Sequence, residues 1–333
     1  MSFAYLALLA VLSVGPDTDP VLRKGAPPIR QRDPARASLY QGRGIEFVNA
    51  GKYEAAVDQF RRALAFDPGN VGTLVNIGYC LDRLGQYDAA IDELKRAESL
   101  DPNNAMIFVN WGNTLINLKR YEDALEPLHR AIDLDASNQL VRLNLAAAFS
   151  NLGRRDEAIT ELSKAADINP KNPVIFINWA TLLIAAGKEE DAVEKYQRAV
   201  ELDPKNIQLI FTMAVLQSKL GLNKAAAVAI EKALAIDPKN TLLAFNLAVA
   251  LSAAGETSRA IEAYDRAIEL DPKNMTAYYN CAALCEKAGN LDGAIARIDA
   301  ATKVEPDNTM LRDILVRLKQ ARDKAQAAVT PTQ

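Results

Sequence analysis

The sequence predicts an all-α chain laid out as a linear array of helix pairs. Three observations carry that prediction: prolines recur at one spacing, small residues keep register with them, and each interval holds two apolar stripes of helical period.

Pro68, Pro102, Pro170, Pro204, Pro238, Pro272 and Pro306 stand 34 or 68 residues apart, and Ala136 fills the one gap in register. Counting from them gives eight units: 37–70, 71–104, 105–138, 139–172, 173–206, 207–240, 241–274 and 275–308. In the second unit Leu74, Ile77, Gly78 and Leu81 follow the i, i+3, i+4, i+7 spacing of one helix face. Gly85 ends that helix and Asp88 opens the next. Ala90, Leu94, Ala97 and Leu100 form the second stripe before Asp101-Pro102 stops it, since proline cannot continue a helix and displaces the residue before it from the α region.

Alanine occupies one position in all eight units (Ala56, Ala90, Ala124, Ala158, Ala192, Ala226, Ala260, Ala294) and a second, seven residues on, in all eight again. A third position holds Gly44, Gly78 and Gly112, then Ala146, Ala180, Ala214, Ala248 and Ala282. Small side chains at fixed helical positions let two helices approach closely, as ridges-into-grooves packing requires.

A 34-residue period with these residues in register resembles the tetratricopeptide repeat family over residues 37–308. The resemblance implies a right-handed superhelical α-solenoid of eight helix-turn-helix repeats whose first helices line a concave face. It also implies that each unit depends on its neighbours for burial and that the array needs a terminal cap. Residues 309–328 supply one: Leu311, Ile314, Leu315 and Leu318 share a stripe, with Arg312, Asp313, Lys319, Gln320, Asp323 and Lys324 largely opposite. Residues 329–333 form a tail.

Residues 1–36 lie outside the array. Residues 3–14 are apolar but short of the roughly 20 residues a spanning helix needs, and no Lys or Arg precedes them. Segment 1–15 is therefore open between an export signal, a membrane anchor and a docking segment. These readings place the protein in an exported (periplasmic) or membrane-associated location, with a cytoplasmic one as the alternative. Residues 16–36 carry the prolines and basic residues of an extended linker.

Composition excludes other classes. With 39 basic and 42 acidic residues the net charge is −3, so there is no basic footprint for nucleic acid. No phosphate-cradling glycine loop, nucleophile elbow or metal-spaced His/Glu set occurs, so the chain reads as non-enzymatic, without cofactor or metal. Cys80, Cys281 and Cys285 read as small core residues. The single histidine, His129, reads as a surface residue among charges.

What remains is the first-helix face that the core does not consume. Positions 4, 7, 8 and 11 of each unit point inward, and positions 2, 5, 6, 9, 12 and 13 point away. Position 6 is Asn76, Asn110, Asn144, Asn178, Asn246 and Asn280, an amide able to donate to and accept from a peptide group. This ladder resembles that of the O-linked N-acetylglucosamine transferase superhelix, where asparagines grip an extended peptide. Phe211, Val215, Phe245, Val249 and Tyr279 add an apolar cluster in the later units, which suggests a binding groove. Chaperone-tail-binding relatives carry a basic residue at position 2. Here it is Ser38, Gly72, Met106, Leu140, Val174, Gln208, Leu242 and Thr276, so that carboxylate clamp is absent.

The expected function is a scaffold that holds an extended or helical segment of a protein or peptide partner. The alternative is a self-assembling protein whose apolar N-terminal segment docks in a second copy or a membrane complex, through residues 3–14. Unit three departs from the pattern: Lys119 replaces the interhelix glycine, Pro127 lies within the second helix, and Arg142 takes an inward position of the next unit. A kink or altered stacking is expected near residues 119–142.

Overall fold

The computed structural model describes residues 32–329, and among these every regular element is an α-helix, seventeen in all. Their contacts divide the chain into two compact units that meet in sequence between Pro170 and Lys171. The first unit contains the pairs α1 (Pro34–Asn49) with α2 (Tyr53–Phe66), α3 (Val71–Arg83) with α4 (Tyr87–Leu100), α5 (Ala105–Asn117) with α6 (Tyr121–Leu134), and α7 (Gln139–Asn151) with α8 (Arg155–Ile168). The second contains α9 (Pro173–Ala185) with α10 (Glu189–Leu202), α11 (Ile207–Lys219) with α12 (Asn223–Ile236), α13 (Thr241–Ala253) with α14 (Thr257–Leu270), and α15 (Met275–Lys287) with α16 (Leu291–Val304). The single helix α17 (Thr309–Val329) closes it.

Each pair is locked where its helices come closest. Position 8 of the first helix faces a large residue at position 24 of the second: Phe60, Leu94, Leu128, Leu162, Tyr196, Ile230, Tyr264 and Ile298, all buried. A Cβ added at Gly44 would lie 2.5 Å from Phe60, at Gly78 2.8 Å from Leu94, and at Gly112 2.5 Å from Leu128. Glycine at these three sites is therefore a packing requirement. The alanines in register across all eight units are also buried, Ala56 and Ala90 fully.

The first helices end on a residue in the left-handed region, glycine in seven cases, with φ from 71° at Gly51 to 79° at Gly255 and Gly289. In the second pair Gly85 N–H donates to Asp82 and Gln86 N–H to Leu81, which satisfies the last carbonyls of α3. Asparagine begins the next first helix: Asn70 Oδ1 accepts from Thr73 N–H at 2.9 Å, and Asn240 Oδ1 from Leu243 N–H at 3.1 Å.

The irregular third pair keeps this plan. Lys119 holds φ 62° and makes the glycine's bonds, its N–H to Ile116 and that of Arg120 to Leu115. α6 runs through Pro127 as one helix. Arg142, at an inward position, donates to Glu161 Oε2 at 2.9 Å and to the Ala136 carbonyl at 3.1 Å, pinning the turn where the proline is missing. Both side chains are largely buried, so the charge is matched inside the core. No division of contacts falls within residues 119–142. The division falls after Pro170, and the substituted turn is held by Arg142.

Two further expectations change. α1 starts at Pro34, capped by Asp33, so residues 34–36 belong to the first helix and not to the linker. The membrane-associated location is corrected as well, within what is described: no helix among the described residues is long and apolar enough to cross a membrane. The longest, α17, carries Arg312, Asp313, Arg317, Lys319, Arg322, Asp323 and Lys324. Residues 3–14, on which the exported or membrane-associated reading rested, lie outside the described residues.

Two substitutions in the third pair should have opposite signs. Gly112→Ala should destabilise by about 1 kcal/mol, because overpacking against Leu128 exceeds the helix-propensity gain. Lys119→Gly should stabilise by about 0.5–1 kcal/mol by relieving a left-handed lysine. Urea unfolding followed by circular dichroism checks both, and a Gly112→Ala protein as stable as the parent would contradict the packing account.

Candidate functional site

The two units treat their first-helix faces differently. In the first unit consecutive first helices touch directly, α3 against α5 and α5 against α7. Position 5 is consumed there: Val75, Val109 and Leu143 are buried. A polar lock joins α3 to α5, with Asn117 Nδ2 donating to both oxygens of the buried Asp82 carboxylate at 3.0 Å. Burial raises the Asp82 pKa, and the bonds from Asn117, the nearby Thr114 hydroxyl and the charge of Arg83 only partly oppose it. Tyr79, beside this lock, meets the edge of Tyr53, which also lies under Arg83.

The asparagines of the first unit are not equivalent. Asn76 and Asn110 are half-buried, and Asn110 spends its Nδ2 on the Met106 carbonyl of its own helix at 2.8 Å. Asn144 is 9 % exposed, and its Nδ2 is enclosed without an acceptor. Its donor therefore reaches nothing outside the fold in this conformation.

In the second unit a cleft of about 590 Å³ separates α13 from α15. Val249, Ser252, Tyr264, Asn280, Leu284 and Lys287 are among its lining residues. Tyr264 rises from α14 as part of the floor, buried and with its pKa raised by that burial, which the nearby Asn280 amide only partly opposes. Phe245 sets its ring edge-on to Tyr264 at 6.0 Å, so part of Phe245 is spent on packing within its pair. Tyr279 lies half-buried, its hydroxyl 3.9 Å from Met310 Sδ of α17. Phe211, Asn178 and Asn246 are half-buried on the same kind of face, and Asn246 Nδ2 turns back to Leu242 O at 2.8 Å.

Of the sequence-derived set, Val249 and Asn280 share the cleft, Phe245 supports its floor, and Val215 stands 50 % exposed on α11. The structure adds Leu242 at 56 % and Met310 at 62 % exposure, both at position 2 of their units. Position 2 was searched in the sequence for charge, and its apolar content was the signal that went unread.

Nothing in this face is reactive. Cys80 and Cys281 are buried thiols pushed up to about 12 by desolvation. Among the described residues no group of His, Cys, Asp and Glu could hold a metal ion.

Three tetratricopeptide repeat models match residues 73–205, 211–275 and 251–318, together more than half of the chain. The chain belongs to the tetratricopeptide repeat family. Solved structures that are similar include MamA of Desulfovibrio magneticus RS-1 at 20% identity and TM-score 0.48, over 51% of this chain and 97% of that one. Another is the thermophilic repeat protein TTC0263 of Thermus thermophilus, at 23% identity and TM-score 0.46, over 54% and 98%. YrrB, described as a repeat protein with an unusual peptide-binding site, shows 22% identity and TM-score 0.46, over 56% and 96%. No curated protein matches the chain.

The Asp82 lock gives a pH signature. A raised folded-state pKa means that the carboxyl's full contribution to stability is present below the unfolded value of about 4 and is lost as pH rises through the folded value. Relative to Asp82→Asn, the parent should therefore lose stability from about pH 4 upward and then level off. Melting both proteins from pH 3 to 8 tests this, and a constant difference across the range would rule the burial cost out.

Proposed function

We propose that this tetratricopeptide repeat protein is a scaffold that holds an apolar, extended or helical segment of a partner polypeptide against the first-helix face of its second unit. The observation that carries the reading is the cleft between α13 and α15, with Val249 and Asn280 on its walls and Tyr264 at its floor. Large apolar side chains stand exposed on the same set of helices, Val215, Leu242 and Val249. The core does not use them, and contiguous exposed apolar surface marks an interaction site.

Two forces divide the work. Covering apolar surface contributes about 25 cal/mol per Å² before the cost of ordering the ligand. An amide adds about 0.5–1.5 kcal/mol net per hydrogen bond and fixes direction and register more than affinity. Asn280 is placed for this at the cleft wall. Asn76, Asn110, Asn178 and Asn246 are the remaining members of the proposed ladder that a ligand could reach, those bonded within their own helix having to exchange that bond for one to the ligand, whereas Asn144 is enclosed and would first have to turn outward.

Because Phe245 also packs on Tyr264, the cleaner probes are the exposed residues. Leu242→Ser with Val249→Ser should weaken binding of the partner segment more than tenfold and leave the helical melt unchanged, while Asn280→Ala should weaken it only severalfold. A photo-crosslinking residue at position 242 identifies the partner, with position 228 on α12 as the exposed control. Equal crosslinking at 228 and 242, or full affinity in the folded double variant, would remove the cleft as the site.

A further inference from the structure

A second cleft, of about 880 Å³, lies in the first unit on the side built by the second helices, between α4 and α6 with α5 as its floor. The floor is aromatic: Phe108 and Trp111 stack at 6.5 Å with their planes 14° apart. The corresponding groove in the second unit, between α12 and α14 over α13, holds about 230 Å³. There Arg259 reaches across from α14 to Glu231 of α12 and ties the two second helices together. The residues in the same repeat positions beside Trp111 are Asp123 and Lys95, with the signs exchanged. They do not form the tie: Asp123 pairs with Arg120 at 2.6 Å, and Lys95 Nζ lies 5.6 Å above the Trp111 ring.

Trp111 and Trp179 occupy the same repeat position. In its own pair Trp179 is covered by Lys195, 4.8 Å from the ring centre. The residue at that repeat position beside Trp111 is Pro127, which has no charge to offer, so the cation over this ring is Lys95, reaching from α4 at the longer distance of 5.6 Å, and an incoming cation would displace it. An indole face is a good seat for a cation. Around it stand Glu98, Glu122, Asp123, Glu126 and Asp133 against Lys95, Arg120 and Arg130. Arg120 is paired with Asp123 and Glu122 with Arg154, while Arg130 donates to the neutral Asn103 and keeps its charge. Carboxylates are left in excess at the rim, and Glu126 and Asp133 are exposed.

We infer that this cleft is a second binding site, which takes an arginine or lysine side chain of a basic segment on a partner polypeptide, seated on Trp111 and ringed by Glu98, Glu126 and Asp133. Charge complementarity selects the occupant: an aromatic floor with a net acidic rim favours a cation with an alkyl stem and disfavours an acidic segment. The site stands apart from the cleft of the second unit and does not depend on it.

The test uses the full chain carrying Trp179→Phe, so that Trp111 alone reports by fluorescence. The probes are a synthetic nona-arginine peptide and a nona-glutamate peptide. The arginine peptide should shift and quench Trp111 emission, saturably and less so at high salt, and the glutamate peptide should not. Glu98→Lys with Glu126→Lys should weaken the arginine peptide about tenfold, and so, read by calorimetry, should Trp111→Leu, which places the leucine of other units at this position. The control reversal Glu190→Lys with Asp167→Lys should leave the affinity as it was. Equal loss in the control, or no response of Trp111 to the arginine peptide, overturns the inference. So does a rise in affinity of tenfold or more when residues 1–31, with Arg23, Lys24 and Arg30, are deleted, since the chain's own segment would then be the occupant.

Discussion

The structure depends on one close approach, repeated eight times. At position 8 of each first helix the side chain is a hydrogen atom or a methyl group, and a large residue from position 24 of the second helix fills the space. That contact fixes how near the two helices of a pair lie, and so which faces are left over. Positions 4, 8 and 11 are largely consumed inside the pair and position 7 only in part, since Trp111 floors a cleft, and the remaining first-helix positions are free to pack on a neighbouring pair or to face solvent. The choice between those two fates separates the two units. In the first, α3, α5 and α7 draw together and bury position 5. In the second, α13 and α15 stand apart and leave a cleft.

The same economy explains how the third pair tolerates its irregularities. A left-handed lysine, an internal proline and a missing terminal proline each cost stability, yet none touches the contact between Gly112 and Leu128. The compensation comes from the following pair. Arg142 gives up an apolar position to bind the Ala136 carbonyl and Glu161. Lys164 also pairs with Glu161 at 2.6 Å, so the acid serves two cations. A departure in one repeat is thus answered within the next, because each pair packs mainly on its sequence neighbours.

The fold was legible in the sequence because its determinants are periodic. Proline at seven of the eight second-helix ends, glycine at seven of the eight interhelix turns and alanine at two fixed positions give the helix pairs and their bounds to within a few residues. Asparagine before each first helix after α1, such as Asn70 and Asn240, carried an equally regular cap signal that the proline count passed over. The face residues were less legible because exposure depends on spacing between pairs, which no local pattern encodes. Val109 and Phe245 share a repeat position, yet one is buried against a neighbouring first helix and the other is partly open. The cleft over Trp111 was hidden for a related reason. It follows from an ion pair that fails to form between Lys95 and Asp123, and a missing contact leaves no mark in composition or period.

The dominance of contacts between helices adjacent in sequence has a kinetic consequence. A chain whose interactions close only short loops has a low contact order, and such chains fold fast and from any starting point. They also open in blocks, since losing one pair exposes the flanks of its neighbours without emptying a shared interior. Amide exchange in this protein would then be graded along each unit, slowest where a pair is flanked on both sides and fastest at the outermost helices. A partner held across several pairs would tie such blocks together and slow their separate opening, so that binding would be read as a change in cooperativity as much as in shape.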